Sequence, residues 1–205
     1  MFKILFLGDI VGKPGRRAVS EHLVSLKEEL QPNLVIANGE NAAGGVGIEA
    51  KLAEEIFHYG VDVITTGNHI WKRKEIFPYL ETNAHRIIRP GNYPAGAPGK
   101  GFCIIEKEGL KIAIVNAQGR VFMAELVDCP FRYLDKLLQN ELQGCDLIFH
   151  DFHCGYMSFL FTCQQCLSTL EVSGKNYQQQ QNLHEQQTES LVTLHPYRNE
   201  QLELH

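Results

Sequence analysis

The chain has 205 residues, 44% of them hydrophobic, and a formal net charge of -5. That length suits one domain with a sizeable core, and the acidic balance argues against a broad surface for duplex nucleic acid, leaving a small anionic substrate held by local cations or metals. No apolar run approaches the roughly 18 residues that cross a bilayer. The run Ile4 to Leu7 is too short for a signal-peptide core, and Cys103, Cys129, Cys145, Cys154, Cys163 and Cys166 lack the spacing of a disulfide framework. Reduced thiols, the cytoplasm and no membrane are the expectation.

Met1 to Leu7 reads as a strand covered on both faces and stops at Gly8-Asp9. Gly12-Lys13-Pro14-Gly15 lacks the spacing and the hydroxyl of a phosphate loop, and reads instead as a turn launching a helix to Leu30, with Val19, Leu23, Leu26 and Leu30 on one face. Leu34 to Ala37 is a second buried strand, followed by Asn38-Gly39-Glu40-Asn41-Ala42-Ala43-Gly44-Gly45-Val46-Gly47. A helix from about Glu49 to Tyr59 and a β-branched strand Val61 to Thr66 complete a βαβαβ pattern that ends at Gly67-Asn68-His69. A short helix over about Trp71 to Leu80 follows, and then an irregular, Pro- and Gly-rich loop over His85 to Gly99. Gly101 to Glu106 and Lys111 to Asn116 look like a hairpin added to the parallel set. Phe131 to Leu142 reads as helix, and Cys145 to Phe149 as the last convincing strand before His150, Asp151 and His153. Residues 154–205 change character: they hold no alanine or aspartate but carry the run Gln178 to Gln181, the composition of a weakly ordered, low-complexity tail.

Several strand-like runs therefore end in metal-capable side chains, at Asp9, Glu40-Asn41, Asn68-His69 and Asp151-Phe152-His153. In open α/β sheets ligands bind outside the carboxyl ends of the strands. Carboxylate oxygens, a neutral imidazole and an amide carbonyl suit Mn, Fe or Zn, and a carboxylate such as Glu40 can bridge two ions. Two such ions would generate a bridging hydroxide and stabilise charge on phosphoryl oxygens, so the reaction class is phosphate ester hydrolysis. His69, beside Asn68, is suited to protonating the departing alkoxide. Each residue also has a plainer reading: Gly-Asp and Gly-Asn are ordinary turn pairs, and Asp9 or Asn41 can simply cap a helix. A phosphate-binding module built on Gly44 to Gly47, without hydrolysis, and an oligomeric scaffold are the alternatives to an enzyme.

Taken together, Gly8-Asp9-Ile10-Val11-Gly12, Asn38 to Gly45, Gly67-Asn68-His69, Arg89 to Pro94, Gln118 to Met123 and Asp151-Phe152-His153 resemble the YmdB-like branch of the calcineurin-like metallophosphoesterases, of the 2′,3′-cyclic-nucleotide phosphodiesterase type. The resemblance runs from residue 1 to about 153. It implies an α/β sandwich of two sheets flanked by helices, a binuclear Fe or Mn site, a small phosphodiester or cyclic nucleotide substrate and a homo-oligomer. It also implies metal contacts from Asp9, Glu40, Asn41, Asn68 and His153, with Glu40 bridging and His69 as the catalytic proton donor.

Beyond His153 the family pattern continues with Gly-Thr-His-Thr-His, which supplies two more histidine ligands, and with a final pair of strands. In this chain His184, His195 and His205 are isolated. The change of composition is that of a frameshifted or replaced C-terminus on an incomplete domain. Fewer ligands imply at most one well-bound ion in this chain and impaired hydrolysis.

Overall fold

A computed structural model describes residues 2–121 and 123–154, together with the backbone of Glu189–Pro196. Strands β1 (Ile4–Asp9), β2 (Leu34–Asn38) and β3 (Val63–Thr65) form a parallel sheet in the order β1-β2-β3. Helices α1 (Gly12–Leu30) and α2 (Ala50–His58) are the crossovers that parallel neighbours require. Every residue of β2 is buried, as the near-continuous apolar run of a strand covered on both faces demands. Alternation divides it between two cores. Val35 and Ala37 pack with Leu23, Ala53, Ile56 and Ile64 beneath the helices, whereas Leu34 and Ile36 face Val63, Ile112, Ile114 and Phe149 on the other side.

That second face is covered by a second sheet. It comprises β4 (Phe102–Lys107), β5 (Leu110–Gln118), β6 (Leu147–Cys154) and β7 (Glu189–Pro196), in that order, with β5 and β6 parallel and the other pairs antiparallel. Helix α4 (Pro130–Gln139) makes the crossover between β5 and β6, and its Leu137 packs over Ala113, Val115 and Ile148 on the outer face. The result is two stacked sheets with helices outside both, the α/β sandwich expected of the sequence.

Four local expectations are corrected. The hairpin β4–β5 does not extend the parallel set; its Cys103, Ile112 and Ile114 are needed to bury the otherwise bare face of β2 and β3. The segment after β3 is not one helix but two 3-10 turns, Asn68–Lys72 and Lys74–Ile76, before α3 (Phe77–Thr82), where Pro78 fits the first turn of a helix. Helix α4 begins one residue earlier than expected and ends three earlier, at Gln139. Strand β6 runs past Phe149 to Cys154, because pairing with β5 continues through Asn116↔Asp151 and Gln118↔His153; Asp151 and His153 thus lie within a strand.

The expected tail over 154–205 lies outside the described residues apart from Cys154 and the backbone of β7. That backbone pairs with the whole of β6, from Leu147↔Pro196 to Cys154↔Glu189. Cys103, Cys129 and Cys145 are free thiols, while Cys163 and Cys166 lie outside the described residues. Among the described residues no helix is long and apolar enough to cross a membrane. The Pro- and Gly-rich loop is irregular as expected, and the buried Arg89 holds it by donating to the carbonyls of Pro90, Ala97, Pro98 and Gly99.

Phe149 joins the two sheets, fully buried and 5.4 Å from the Phe6 ring centroid. Phe149→Ala should therefore cost about 3–5 kcal/mol, read as a lowered urea midpoint at unchanged slope. A loss under about 1 kcal/mol would mean the sheets do not depend on this contact.

Candidate metal centre

The carboxyl ends of β1, β2, β3, β5 and β6 meet at one edge of the sandwich, and the expected site residues gather there. Glu40, only 1% exposed, sits in the loop just after β2. The backbone N–H of Glu40 donates to Asn38 Oδ1 (3.1 Å), and the backbone N–H of His69 donates to Glu40 Oε2 (3.2 Å). Asn41 Nδ2 donates to Asp9 Oδ2 (2.6 Å) and to Glu40 Oε1 (3.4 Å). From the second sheet, His153 Nε2 lies 3.1 Å from Asn68 Oδ1 and 3.4 Å from Glu40 Oε1. Asp9, Glu40, Asn41, Asn68, His69 and His153 thus form one contiguous cluster.

The backbone beneath is shaped for this approach. A Cβ built on Gly67 would stand 2.1 Å from Glu40 Oε2 and 2.7 Å from His153 Cδ2, so only glycine lets the β3 end pass so close to both. Gly47, at φ +77°, closes the Glu40 loop where a Cβ would strike Arg73; that arginine donates to the carbonyls of Ala43 and Val46.

Charge is concentrated without compensation. Burial, then the nearby Asp9, with smaller contributions from Asp151 and Glu125, pushes Glu40 up to about 8. Asp9 is also raised by burial, with the Asn41 hydrogen bond opposing. Burial, followed by the neighbouring His69, lowers His153 to about 4. At neutral pH His153 is therefore neutral, and its contact with Glu40 is not an ion pair.

This donor set fits a cation. His153 Nε2, Asn68 Oδ1 and Glu40 Oε1 are separated by 3.1–3.4 Å along the two contacts that join them, the spacing of donors about 2.0–2.2 Å from a shared ion. Asp9 Oδ1 and His153 Nδ1 are buried and make no hydrogen bond among the described residues. No three His, Cys, Asp or Glu side chains close on a point by themselves among those residues, which leaves the Asn68 amide oxygen as the further donor beside them. Asn41 turns its nitrogen to the carboxylates while its Oδ1 accepts from His69 Nδ1 at 2.6 Å; ligation by Asn41 requires its amide to turn over.

Sequence reasoning missed Glu125, whose Oε1 accepts from Asn68 Nδ2 (3.2 Å), and Gln118, whose Nε2 lies 3.5 Å from Glu125 Oε2. Gln118 stands in a quoted motif at a strand end, which was a usable signal. Glu125 lies in a segment with none. His150, on the alternate face of β6, packs edge-on to Phe152 with centroids 5.8 Å apart, away from this cluster.

The family model for YmdB-like proteins matches residues 5–158, which include every residue of this cluster. The chain belongs to that family. This YmdB-like chain is 42% identical over 151 residues to the 2′,3′-cyclic-nucleotide 2′-phosphodiesterase of Bacillus subtilis (strain 168), covering 74% of the chain and 56% of the relative. A hypothetical protein from Thermus thermophilus superposes with a TM-score of 0.73 at 38% identity, over 81% of this chain and 63% of that one. A structure described as a novel phosphatase, from Mycoplasma pneumoniae, gives 0.73 at 33% identity, over 80% and 60%. The chain thus spans a little over half the length of the curated relative and less than two thirds of these solved structures.

The metal-free protein should show the burial of Glu40 in its stability. Between the ordinary carboxyl value of 4.5 and about 8 the folded state keeps a proton that the unfolded state has released, so stability falls as pH rises through that window. His153, lowered from 6.5 to about 4, acts oppositely and only below 6.5. With chelator present, urea midpoints should therefore drop between about pH 6.5 and 8, and Glu40→Gln should flatten the drop. An unchanged slope in that variant would remove Glu40 as its source.

Proposed function

We propose that this YmdB-like chain is a metal-dependent phosphodiesterase acting on small phosphodiesters such as 2′,3′-cyclic nucleotides. The observation that carries this reading is Glu40, buried beside Asp9 with His153 and Asn68 facing it, a set of donors that lacks positive charge of its own. Asp9, Glu40, Asn68 and His153 would hold Mn or Fe, with Glu40 the carboxylate they share, while Asn41 keeps its oxygen on His69. When bound, such ions supply a water acidified to near neutrality and positive charge for the phosphoryl oxygens. The substrate named for the Bacillus relative supplies the cyclic nucleotide part of the reading.

The chain's own contribution is to orient and to move a proton. The hydrogen bond from His69 Nδ1 to Asn41 fixes the ring and leaves Nε2 for exchange. Protonated on both nitrogens, His69 can give the Nε2 proton to a departing alkoxide while Nδ1–H stays on Asn41. Gly67 and the buried loop around Glu40 keep the carboxylate and His153 in contact without intervening side chains. The described ligands suffice for one well-held ion, so turnover is expected to be weak. A purely phosphate-cradling loop is disfavoured, because the Ala43, Gly45 and Val46 amides already donate to Gly47, Asn41 and Ala43 within the loop.

Assayed with Mn²⁺, the chain should hydrolyse 2′,3′-cyclic nucleotides, and Asp9→Ala should abolish this. His69→Ala should cost about 10²–10⁴-fold on that poor leaving group, and much less on a nitrophenyl phosphodiester, whose leaving group needs little protonation. Equal losses on both substrates would contradict the acid role, and turnover untouched by Asp9→Ala would contradict the site.

A further inference from the structure

We infer that Glu125 is a positioning residue: its carboxylate fixes which end of the Asn68 amide faces the cluster. The inference rests on the metal-centre reading above, and extends it to a residue outside the ligand set. An asparagine amide has a donor end and an acceptor end of almost the same shape, and only the oxygen can contact a cation. Asn68 Nδ2 donates to Glu125 Oε1 at 3.2 Å while Asn68 Oδ1 lies against His153. Turned over, the amide would set its oxygen against a carboxylate, which has no hydrogen to offer. Glu125 thus selects the orientation in which Asn68 presents oxygen to the site.

Glu125 is held in that place. Gln118 Nε2 reaches its second oxygen at 3.5 Å, and Tyr93 Oη in turn donates to Gln118 Oε1 at 2.8 Å. The segment bearing Glu125 is closed at its base by the buried Asn92. The Asn92 amide nitrogen donates to the carbonyls of Gln118 (2.7 Å) and Asp128 (2.8 Å), and its Oδ1 accepts the Gln118 N–H (2.8 Å). The Asp128 N–H donates to the Asn92 carbonyl at 2.8 Å. Both ends of the arm therefore hang from one side chain and its own backbone, and the arm brings a carboxylate over an amide whose two ends must be told apart. Removing a carboxylate that orients a metal ligand in this way typically costs about 10–100-fold in metal affinity.

The test uses the full 205-residue chain and Mn²⁺ titration calorimetry. Glu125→Ala should weaken Mn²⁺ binding about 10–100-fold, and Glu125→Gln clearly less, because its carbonyl can still accept from Asn68. In an Asn68→Ala background, Glu125→Ala should add no more than about twofold, since the ligand it orients has gone. Equal losses for Gln and Ala, which would mark a charge effect, or full additivity with Asn68→Ala would overturn the inference. A second readout needs no metal: the Asn68 side-chain ¹⁵NH₂ resonances, identified by their disappearance in Asn68→Ala, should shift in Glu125→Ala, and an unmoved pair would overturn it. Should Glu125→Ala fail to fold, Glu125→Gln decides, a loss as large as that of Asn68→Ala counting against positioning. If the unsubstituted chain binds no Mn²⁺, the metal-centre reading falls, and the amide resonances alone decide the role of Glu125.

Discussion

Burying a carboxylate costs several kcal/mol unless a partner charge or a proton offsets it, and at the carboxyl edge of this sandwich that cost is met at Glu40, beside Asp9. No lysine or arginine is hydrogen-bonded to either carboxylate among the described residues; the two arginines that reach the Glu40 loop, Arg16 and Arg73, donate to the carbonyls of Ala42, Ala43 and Val46. Without a cation, burial and then the neighbouring Asp9 push Glu40 toward its protonated form. The loop anchoring, the glycine at 67 and the neutral His153 all make sense as parts of one arrangement that keeps acidic oxygens close together until positive charge arrives.

The architecture makes that arrangement possible. A single parallel sheet would bring together Asp9, Glu40 and Asn68, but not an imidazole from the far side. Stacking β4 to β7 on the open face of β2 and β3 points the ends of β5 and β6 toward the same edge, so that His153 reaches Asn68 and Glu40. The interface that does this is the core around Leu34, Ile36, Ile114 and Phe149. Packing between the sheets and chemistry at their edge are therefore coupled: a shift of one sheet over the other would part His153 from Glu40.

Much of this was legible in the residues. The βαβαβ pattern follows from helical spacing in α1 and from apolar runs too short for helices; Asp9, Glu40 and Asn68 stand out as candidates where those runs stop, and their roles are what the family resemblance implies. What was not legible depends on long-range partners. The hairpin's own alternation says that it pairs, not which sheet it joins; that is decided by the bare face of β2. The sequence predicts that β6 stops at Phe149, because polar His150 and Asp151 look like a strand end, whereas pairing with β5 carries the ladder on to Cys154. Glu125 is an ordinary acidic residue in a loop until the fold sets Asn68 beside it. Asn41 was expected to offer its oxygen, and the cluster instead gives that oxygen to His69.

The central claim is that this edge exists to hold a metal ion on Glu40. Elemental analysis after loading the chain with Mn²⁺ and removing free ion by desalting tests it most directly, with Glu40→Ala treated in parallel. The account predicts that the unsubstituted chain retains manganese at no more than about one ion per chain, and that the variant retains none, because the donors that remain cannot hold an ion without the carboxylate they share. Equal manganese in the two proteins, or none in either, would contradict it.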